Sequence, residues 1–432
     1  MNEDSFFGGA AGERGAAFLV GVVRPGSTQT EVEGQLDELA ALADTAGFSD
    51  AGRAVLPCRE ISAATFVGKG QAGDVGSMAK ALGAAVLIVD EDLSPAQVRN
   101  LEKIGDVPVV DRAGVIIDIF AQRARSREAR TQVEIAQLEY LLPRLAGRWA
   151  HLSRQVGGGP GGTKGAGEKQ IELDRRMIRR RIDHLKRDLE KVDRARSVRR
   201  RTRAGMPQVA LVGYTNVGKS SLFNALTKTG VFVEDRLFAT LDATVRRLDF
   251  GRRGAALAKD TVGFIRKLPH DLVAAFRSTF QEAGEADLLL IVVDIAHPKG
   301  EEQLATAERV LDETGLGDQP RLLVYNKIDV APKELVAALR ARHADACFTS
   351  ARTGEGVAEL ARKLADRLLG EEVRVTLAAP VARGDLLALC HREAKVERVE
   401  QRDDEMIITF VAGARAAGEL RRRFAEAEGD EE

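Results

Sequence analysis

The sequence predicts an α/β, multidomain chain, and three observations predict it. Short apolar runs alternate with amphipathic stretches from the start of the chain, the pattern of a parallel sheet covered by helices. Later runs of the same kind each deliver a short polar motif. Between the two series lies a segment with heptad spacing and a strong excess of positive charge. The 432 residues therefore divide into a small α/β domain (1–127), a basic antiparallel helical hairpin with a glycine-rich loop (128–204), a domain with a mostly parallel sheet (205–370) and a small α+β domain (371–432).

In the first domain, strands are expected at Ala16 to Val22, Ala51 to Pro57, Ala85 to Asp90 and Val107 to Val110. Helices are expected from Glu31 to Ala46, from a turn at Gly68-Lys69-Gly70 to Leu82, and from Ser94 to Lys103. Ser94-Pro95 is a good helix start, because the hydroxyl caps a free N–H and proline fits the first turn.

The hairpin is read from two patterns. Val133, Leu138, Leu141 and Leu142 mark one helix over Arg130 to Leu142. Ile178, Ile182, Leu185, Leu189 and Val192 are spaced four, three, four, three, a heptad seam that argues one long helix from about Ile171 to Arg199. The glycine-rich stretch Gly157 to Gly167 between them is too poor in side chains to bury a core. From Arg144 to Gly205 there are 19 Lys or Arg against 7 Asp or Glu, so an excess of 12 positive charges hides within a net charge of -1. A solvated helical face usually mixes signs, so this block reads as a footprint for a phosphate backbone, and glycine lets the chain approach RNA closely.

The third domain carries the chemistry. Gly213-Tyr214-Thr215-Asn216-Val217-Gly218-Lys219-Ser220, followed by Ser221, reads G-x-x-x-x-G-K-S directly after the apolar run Val209 to Val212. That is a P-loop, a glycine turn whose backbone N–H groups wrap a diphosphate at a helix N-terminus. Lys219 would reach the β- and γ-phosphates and Ser220 would hold Mg²⁺. Phe238-Ala239-Thr240-Leu241-Asp242 offers Thr240 as the hydroxyl that closes over Mg²⁺, with Thr244 as a competing candidate. Asp260-Thr261-Val262-Gly263, after the run Ala256 to Ala258, would place Asp260 in the second shell of the metal and the Gly263 N–H at the γ-phosphate. Lys219, Thr240 and Gly263 are thus the candidate catalytic groups.

Two further motifs select the base. The run Arg321 to Tyr325 ends in Asn326-Lys327-Ile328-Asp329. Asp329 can accept from both N1–H and the exocyclic amine of guanine, an arrangement adenine cannot match. Asn326 would tie loop and purine together, and the Lys327 stem would lie along the base. Ala346 to Thr349 delivers Ser350-Ala351-Arg352, whose N–H groups would meet the guanine carbonyl. Five elements in this order describe a GTPase using GTP, GDP and Mg²⁺. Phe264 stands where many GTPases place a glutamine that orients the attacking water, so slow intrinsic hydrolysis is expected.

In the last part, strands Val373 to Leu377, Lys395 to Gln401 and Met406 to Val411 surround a helix from Asp385 to Arg392, and a final helix follows. No apolar run approaches a membrane span, and Met1 to Gly15 is unlike a signal peptide. Cys58, Cys347 and Cys390 are too scattered for a disulfide frame or a zinc cluster. A cytoplasmic monomer is expected.

With these residues in view, the chain resembles the HflX family of the Obg-HflX branch of translation-factor-like GTPases, over nearly its whole length. The resemblance rests on the GTPase motifs, on FVGKG at Phe66 to Gly70, LSPAQVRNLE at Leu93 to Glu102, VDRAGVIIDIFAQRA at Val110 to Ala124, VEIAQLEYLLPRL at Val133 to Leu145 and DRRMIRRRI at Asp174 to Ile182. FATLDAT and DTVGFIRKLPHDLVAAFRST are similarly specific. After the glycine loop the family usually reads G-x-G-E-T/S-Q-L-E, where this chain has Gly165-Ala166-Gly167-Glu168-Lys169-Gln170-Ile171-Glu172. The resemblance implies a GTPase that binds the large ribosomal subunit, rRNA and proteins together, and that splits or rescues stalled ribosomes under stress. Some relatives also bind ATP through the first domain. A ribosome-assembly or rRNA-remodelling factor and a non-ribosomal signalling switch are the rival readings, the latter leaving the hairpin charge unexplained.

Overall fold

The structure is a computed structural model that describes residues 14–145, 166–202, 206–230, 237–241, 244–267 and 283–429. Contacts divide the chain into two units, one of Met1–Arg200 with Glu234–Asp242 and Arg266–Ser278, the other of Arg201–Val233 with Ala243–Ile265 and Thr279–Glu432. The segments around Thr240 and just beyond Asp-x-x-Gly thus fall in the first unit, although sequence order alone groups them with the P-loop.

The first unit opens with a four-stranded parallel sheet of β1 (Ala16–Val23), β2 (Ser49–Pro57), β3 (Val86–Val89) and β4 (Val109–Asp111), in the order β2-β1-β3-β4. Phe18, Val20, Leu87, Val89 and Val109 form its core with Val75 and Leu101. Helix α1 (Gln29–Thr45) starts on a capping box in which Thr28 accepts from the Glu31 N–H. Helix α2 (Lys69–Ala81) begins at Gly68, so Lys69 and Gly70, read from the sequence as a turn, are helical. Gln71 makes this possible by accepting from the Gly68 N–H, which satisfies the first turn without a turn geometry. Ser94 caps α3 (Pro95–Gly105) as expected. Helix α4 (Arg112–Arg123) starts on Asp111 and buries Arg112 completely against Asp90 and Glu38.

Two helices complete this unit, α5 (Arg127–Leu141) and the 37-residue α6 (Ala166–Thr202). Ile135, Ile182 and Leu185 are buried between them, backed by Leu138, Leu142, Ile178 and Leu189. Four of the five heptad residues therefore face the partner helix. Glu134–Arg181 and Glu139–Lys186 bridge the pair at 2.7 Å each. Of the glycine-rich stretch, 157–165 lies outside the described residues, whereas Ala166 and Gly167 begin α6.

The second unit contains a six-stranded sheet ordered β10-β9-β8-β5-β7-β6. Its strands are β5 (Gln208–Gly213), β6 (Thr244–Asp249), β7 (Ala255–Asp260), β8 (Leu288–Asp294), β9 (Arg321–Asn326) and β10 (Cys347–Phe348). Every pairing is parallel except β6 with β7. β5 sits between β7 and β8, so the strand order reverses there. Ligands of open α/β sheets bind at that point, beyond the carboxyl ends of the strands. A three-stranded antiparallel sheet, β11 (Glu372–Pro380), β12 (Lys395–Arg402) and β13 (Glu405–Gly413), has the order β11-β13-β12 and closes the unit. Its core of Ile408, Phe410, Leu386 and Cys390 is completed by the last helix through Leu420 and Phe424. All three cysteines are free and buried. Among the described residues, no helix is long and apolar enough to cross a membrane.

Candidate nucleotide site

Four of the five sequence motifs lie beyond the carboxyl ends of adjacent strands of the six-stranded sheet. The loop after β5 turns at Gly213, whose φ of 145° and whose closeness to Val292 exclude a side chain, since a Cβ would stand 2.3 Å from the Val292 oxygen. Asn216 is left-handed at φ 61°, a conformation asparagine tolerates. Gly218 (φ 88°) leads into helix α7 (Lys219–Thr227), and a Cβ there would meet Asn326 Nδ2 at 2.4 Å.

Asn326 is the staple of the site. Its amide donates to the Val217 oxygen at 2.9 Å, and its Oδ1 accepts from the Ala351 N–H at 3.1 Å and the Thr349 hydroxyl at 3.3 Å. One side chain thereby joins the P-loop to both base-selecting loops. Lys327 donates to the Asn216 oxygen at 2.8 Å and pairs with Asp294 at 2.7 Å. Asp294 was not singled out from the sequence. It ends the apolar strand β8 and stands opposite Asn326 in the ladder, a signal that needs strand register to be read. Ile328 is half-buried, and its N–H donates to the Thr349 oxygen at 3.3 Å.

Asp329 keeps its charge. A hydrogen bond from Ser350 and the Arg352 guanidinium at 2.7 Å hold its carboxyl below the usual carboxylate range. A carboxylate has lone pairs for more than one partner, so it can accept from a purine edge beside Arg352. The expectation that Ser350 and Ala351 meet the guanine carbonyl finds those N–H groups engaged, with Glu355 at 2.9 Å and with Asn326.

At the phosphate end, Ser220 Oγ donates to Asp260 Oδ2 at 2.6 Å. Ser221 follows, half-buried on the same helix. Two hard oxygens so close suit an oxygen-seeking divalent cation. Thr261 Oγ1 donates to the Leu211 oxygen at 2.6 Å, and Val262 is buried. The peptide of Phe264 is stitched onto the P-loop, since Thr215 N–H donates to its oxygen at 2.7 Å and its N–H donates to the Gly213 oxygen at 2.9 Å. The Phe264 side chain is 1% exposed, which makes it a core residue. Tyr214 is buried beside it.

Phe238, Ala239, Thr240 and Leu241 belong to the first unit. Phe238 is left-handed at φ 54° and packs edge-on to Phe120 at 4.7 Å. Thr240 is half-buried, and Asp242 lies outside the described residues. Thr244 is the first residue of β6, paired with Asp260 in the ladder. Beyond Ile265, Arg266 and Lys267 are held within the first unit by Asp90 at 3.1 Å and Glu91 at 2.9 Å.

Lys219 is buried and donates to the Gly213 and Tyr214 oxygens at 3.2 and 2.8 Å. Burial pushes its ammonium down to about 8, opposed only in part by Asp260. Below pH 8 the group is charged and ready for an anion. Above it, binding a phosphate must take up a proton. Nucleotide affinity is therefore expected to be flat from pH 6.5 to 7.5 and to fall by up to about tenfold per pH unit above pH 8. Titration calorimetry in buffers of different ionisation enthalpy checks both the slope and the proton uptake.

The fold and the loop geometry define a P-loop GTPase. The chain matches the family model described as a 50S ribosome-binding GTPase over residues 208–327, and two further models match it, the GTP-binding GTPase N-terminal region over 33–121 and the GTP-binding GTPase middle region over 123–203. The GTPase HflX of Magnetococcus marinus is 43% identical over 416 residues, covering 95% of this chain and 96% of that protein. The GTPase HflX of Escherichia coli K12 is 45% identical over 343 residues, covering 78% and 80%. A GDP-bound GTP-binding protein from Sulfolobus solfataricus aligns with a TM-score of 0.42 at 24% identity, over 82% of this chain and 98% of that one. The chain belongs to the HflX family of GTPases; it binds GTP and hydrolyses it.

Proposed function

We propose that this GTPase acts on the large ribosomal subunit as a Mg²⁺-dependent switch and separates or rescues stalled ribosomes. The observation that carries the reading is helix α6, which turns its apolar seam to α5 and leaves Arg176, Arg179, Arg180 and Arg187 exposed to a partner. A partner rich in phosphate fits that face. The family model matching residues 208–327 carries the ribosome in its description, which supports the same partner.

In this reading the loop from Gly213 through Tyr214, Thr215, Asn216, Val217 and Gly218 cradles the phosphates, with Lys219 on the β- and γ-oxygens. Ser220 holds Mg²⁺, Thr240 closes over it and Asp260 supports it from the second shell. When bound, the metal neutralises charge developing on the phosphates. Gly263 senses the γ-phosphate, while Asp329 holds guanine beside Asn326 and Lys327, kept ionised by Ser350 and Arg352.

Light scattering of whole ribosomes tests the proposal. With GTP the parent protein lowers the signal as subunits separate. The triple variant Arg179→Gln, Arg180→Gln, Arg187→Gln is expected to keep GTP binding, to bind large subunits more weakly, and to show a log–log salt slope smaller by about two to three. Separation by the variant at the parent's rate would remove the helix from the mechanism. Binding to large subunits without separation of whole ribosomes would point to an assembly or rRNA-remodelling role.

A further inference from the structure

Phe264 has no side-chain polar atom to orient a water, and the P-loop carries a buried hydroxyl that the site described above leaves unused. Thr215 is 5% exposed, and its Oγ1 is buried without a hydrogen-bond partner among the described residues. A buried hydroxyl left unmatched is destabilising, and native structures carry such groups rarely. The position of this one is informative. A Cβ built on Gly263 would stand 2.8 Å from both Thr215 Cα and Cγ2, and 2.9 Å from Lys219 Nζ. The Thr215 methyl group therefore packs on Gly263, the glycine that the Lys219 ammonium also approaches. Its own N–H is already given to Phe264, so the hydroxyl is what this residue has left to offer a ligand.

We propose that Thr215 is a catalytic residue for GTP hydrolysis, its hydroxyl bridging the γ-phosphate and the attacking water. This rests on the nucleotide site described above. A hydroxyl has one donor and two acceptor positions. It donates to a γ-phosphate oxygen and accepts from the water, which holds the water oxygen in line. The water oxygen bonds to the γ-phosphorus as the bond from that phosphorus to the bridging oxygen breaks. The electron pair leaves on the β-phosphate, and the water proton ends on the released phosphate. Phe264, buried and without a polar atom, takes no part. The hydroxyl touches only the γ-phosphate and the water, so GDP neither gains nor loses by it.

Thr215→Val keeps the shape and removes the hydroxyl, whereas Thr215→Ser keeps the hydroxyl and removes the methyl group packed on Gly263. Three readouts on the full chain test the assignment: single-turnover hydrolysis at saturating GTP, GDP affinity, and the melting temperature without nucleotide. The expected result for Thr215→Val is about a hundredfold loss of rate, GDP affinity within about twofold, and a melting temperature no lower than the parent's, because an unmatched polar atom is gone. Thr215→Ser should recover the greater part of the rate. Hydrolysis by Thr215→Val within threefold of the parent overturns the proposal, as does an equal loss in both variants, which would assign the effect to the methyl contact. Lys219→Ala, measured alongside, tests the underlying site: if it still binds GDP like the parent, the nucleotide site itself is misplaced, whatever Thr215 does.

Discussion

Asp329→Asn should weaken GTP binding about a thousandfold and turn the protein toward xanthosine triphosphate. The carboxylate is held ionised by Ser350 and Arg352, so in the parent it offers two charged acceptors to N1–H and the exocyclic amine of guanine. Each such bond contributes about 2 kcal/mol, and losing both approaches 4 kcal/mol. The amide that replaces it keeps one acceptor and presents a donor where guanine also presents one. Xanthine carries a carbonyl at that position and satisfies the donor. Competition between the two triphosphates for parent and variant, read by fluorescence of a labelled nucleotide, gives the ratio directly. Equal GTP affinity in both proteins would remove Asp329 from the site.

Lys219→Ala should abolish measurable nucleotide binding. The ammonium is buried beside the loop oxygens of Gly213 and Tyr214, and removing one partner of a buried charge pair costs about 3–5 kcal/mol. The same variant is also informative without nucleotide. Its nucleotide-free form should gain stability relative to the parent near neutral pH. The sign follows from the depressed value: near pH 7 the folded state holds a proton on Lys219 at a cost that the unfolded chain does not bear. Thermal denaturation from pH 7 to 10 checks this, since the advantage of the variant should shrink as the parent loses that proton.

The candidate nucleotide loops were legible because their residue types and spacing carry the chemistry locally. Gly213, Gly218 and Lys219 can be placed from the octapeptide alone, and the structure gives each a steric or electrostatic reason. Asp294 could not be placed in this way. Its role depends on the register that sets it opposite Asn326, and parallel pairing between β8 and β9 is not written in either strand. The heptad seam located the helix pair for the opposite reason, since four of its residues recur on one face of one helix. Gly68-Lys69-Gly70 misled because two glycines in three residues usually mark a turn, whereas Gln71 caps the chain into a helix there. The grouping of Phe238 to Leu241 with the first unit is a further long-range fact, carried by contacts such as that of Phe238 with Phe120.

The proposed function requires that GTP govern binding to the large ribosomal subunit. By linkage, whatever factor GTP contributes to subunit affinity, the subunit must return to GTP affinity. Pelleting the protein with purified large subunits in a non-hydrolysable GTP analogue, in GDP and without nucleotide, while titrating the analogue on free and subunit-bound protein, measures both halves. The account predicts tighter pelleting with the analogue than with GDP, by about 5- to 150-fold, and the same factor in analogue affinity. Equal pelleting in all three states would contradict it.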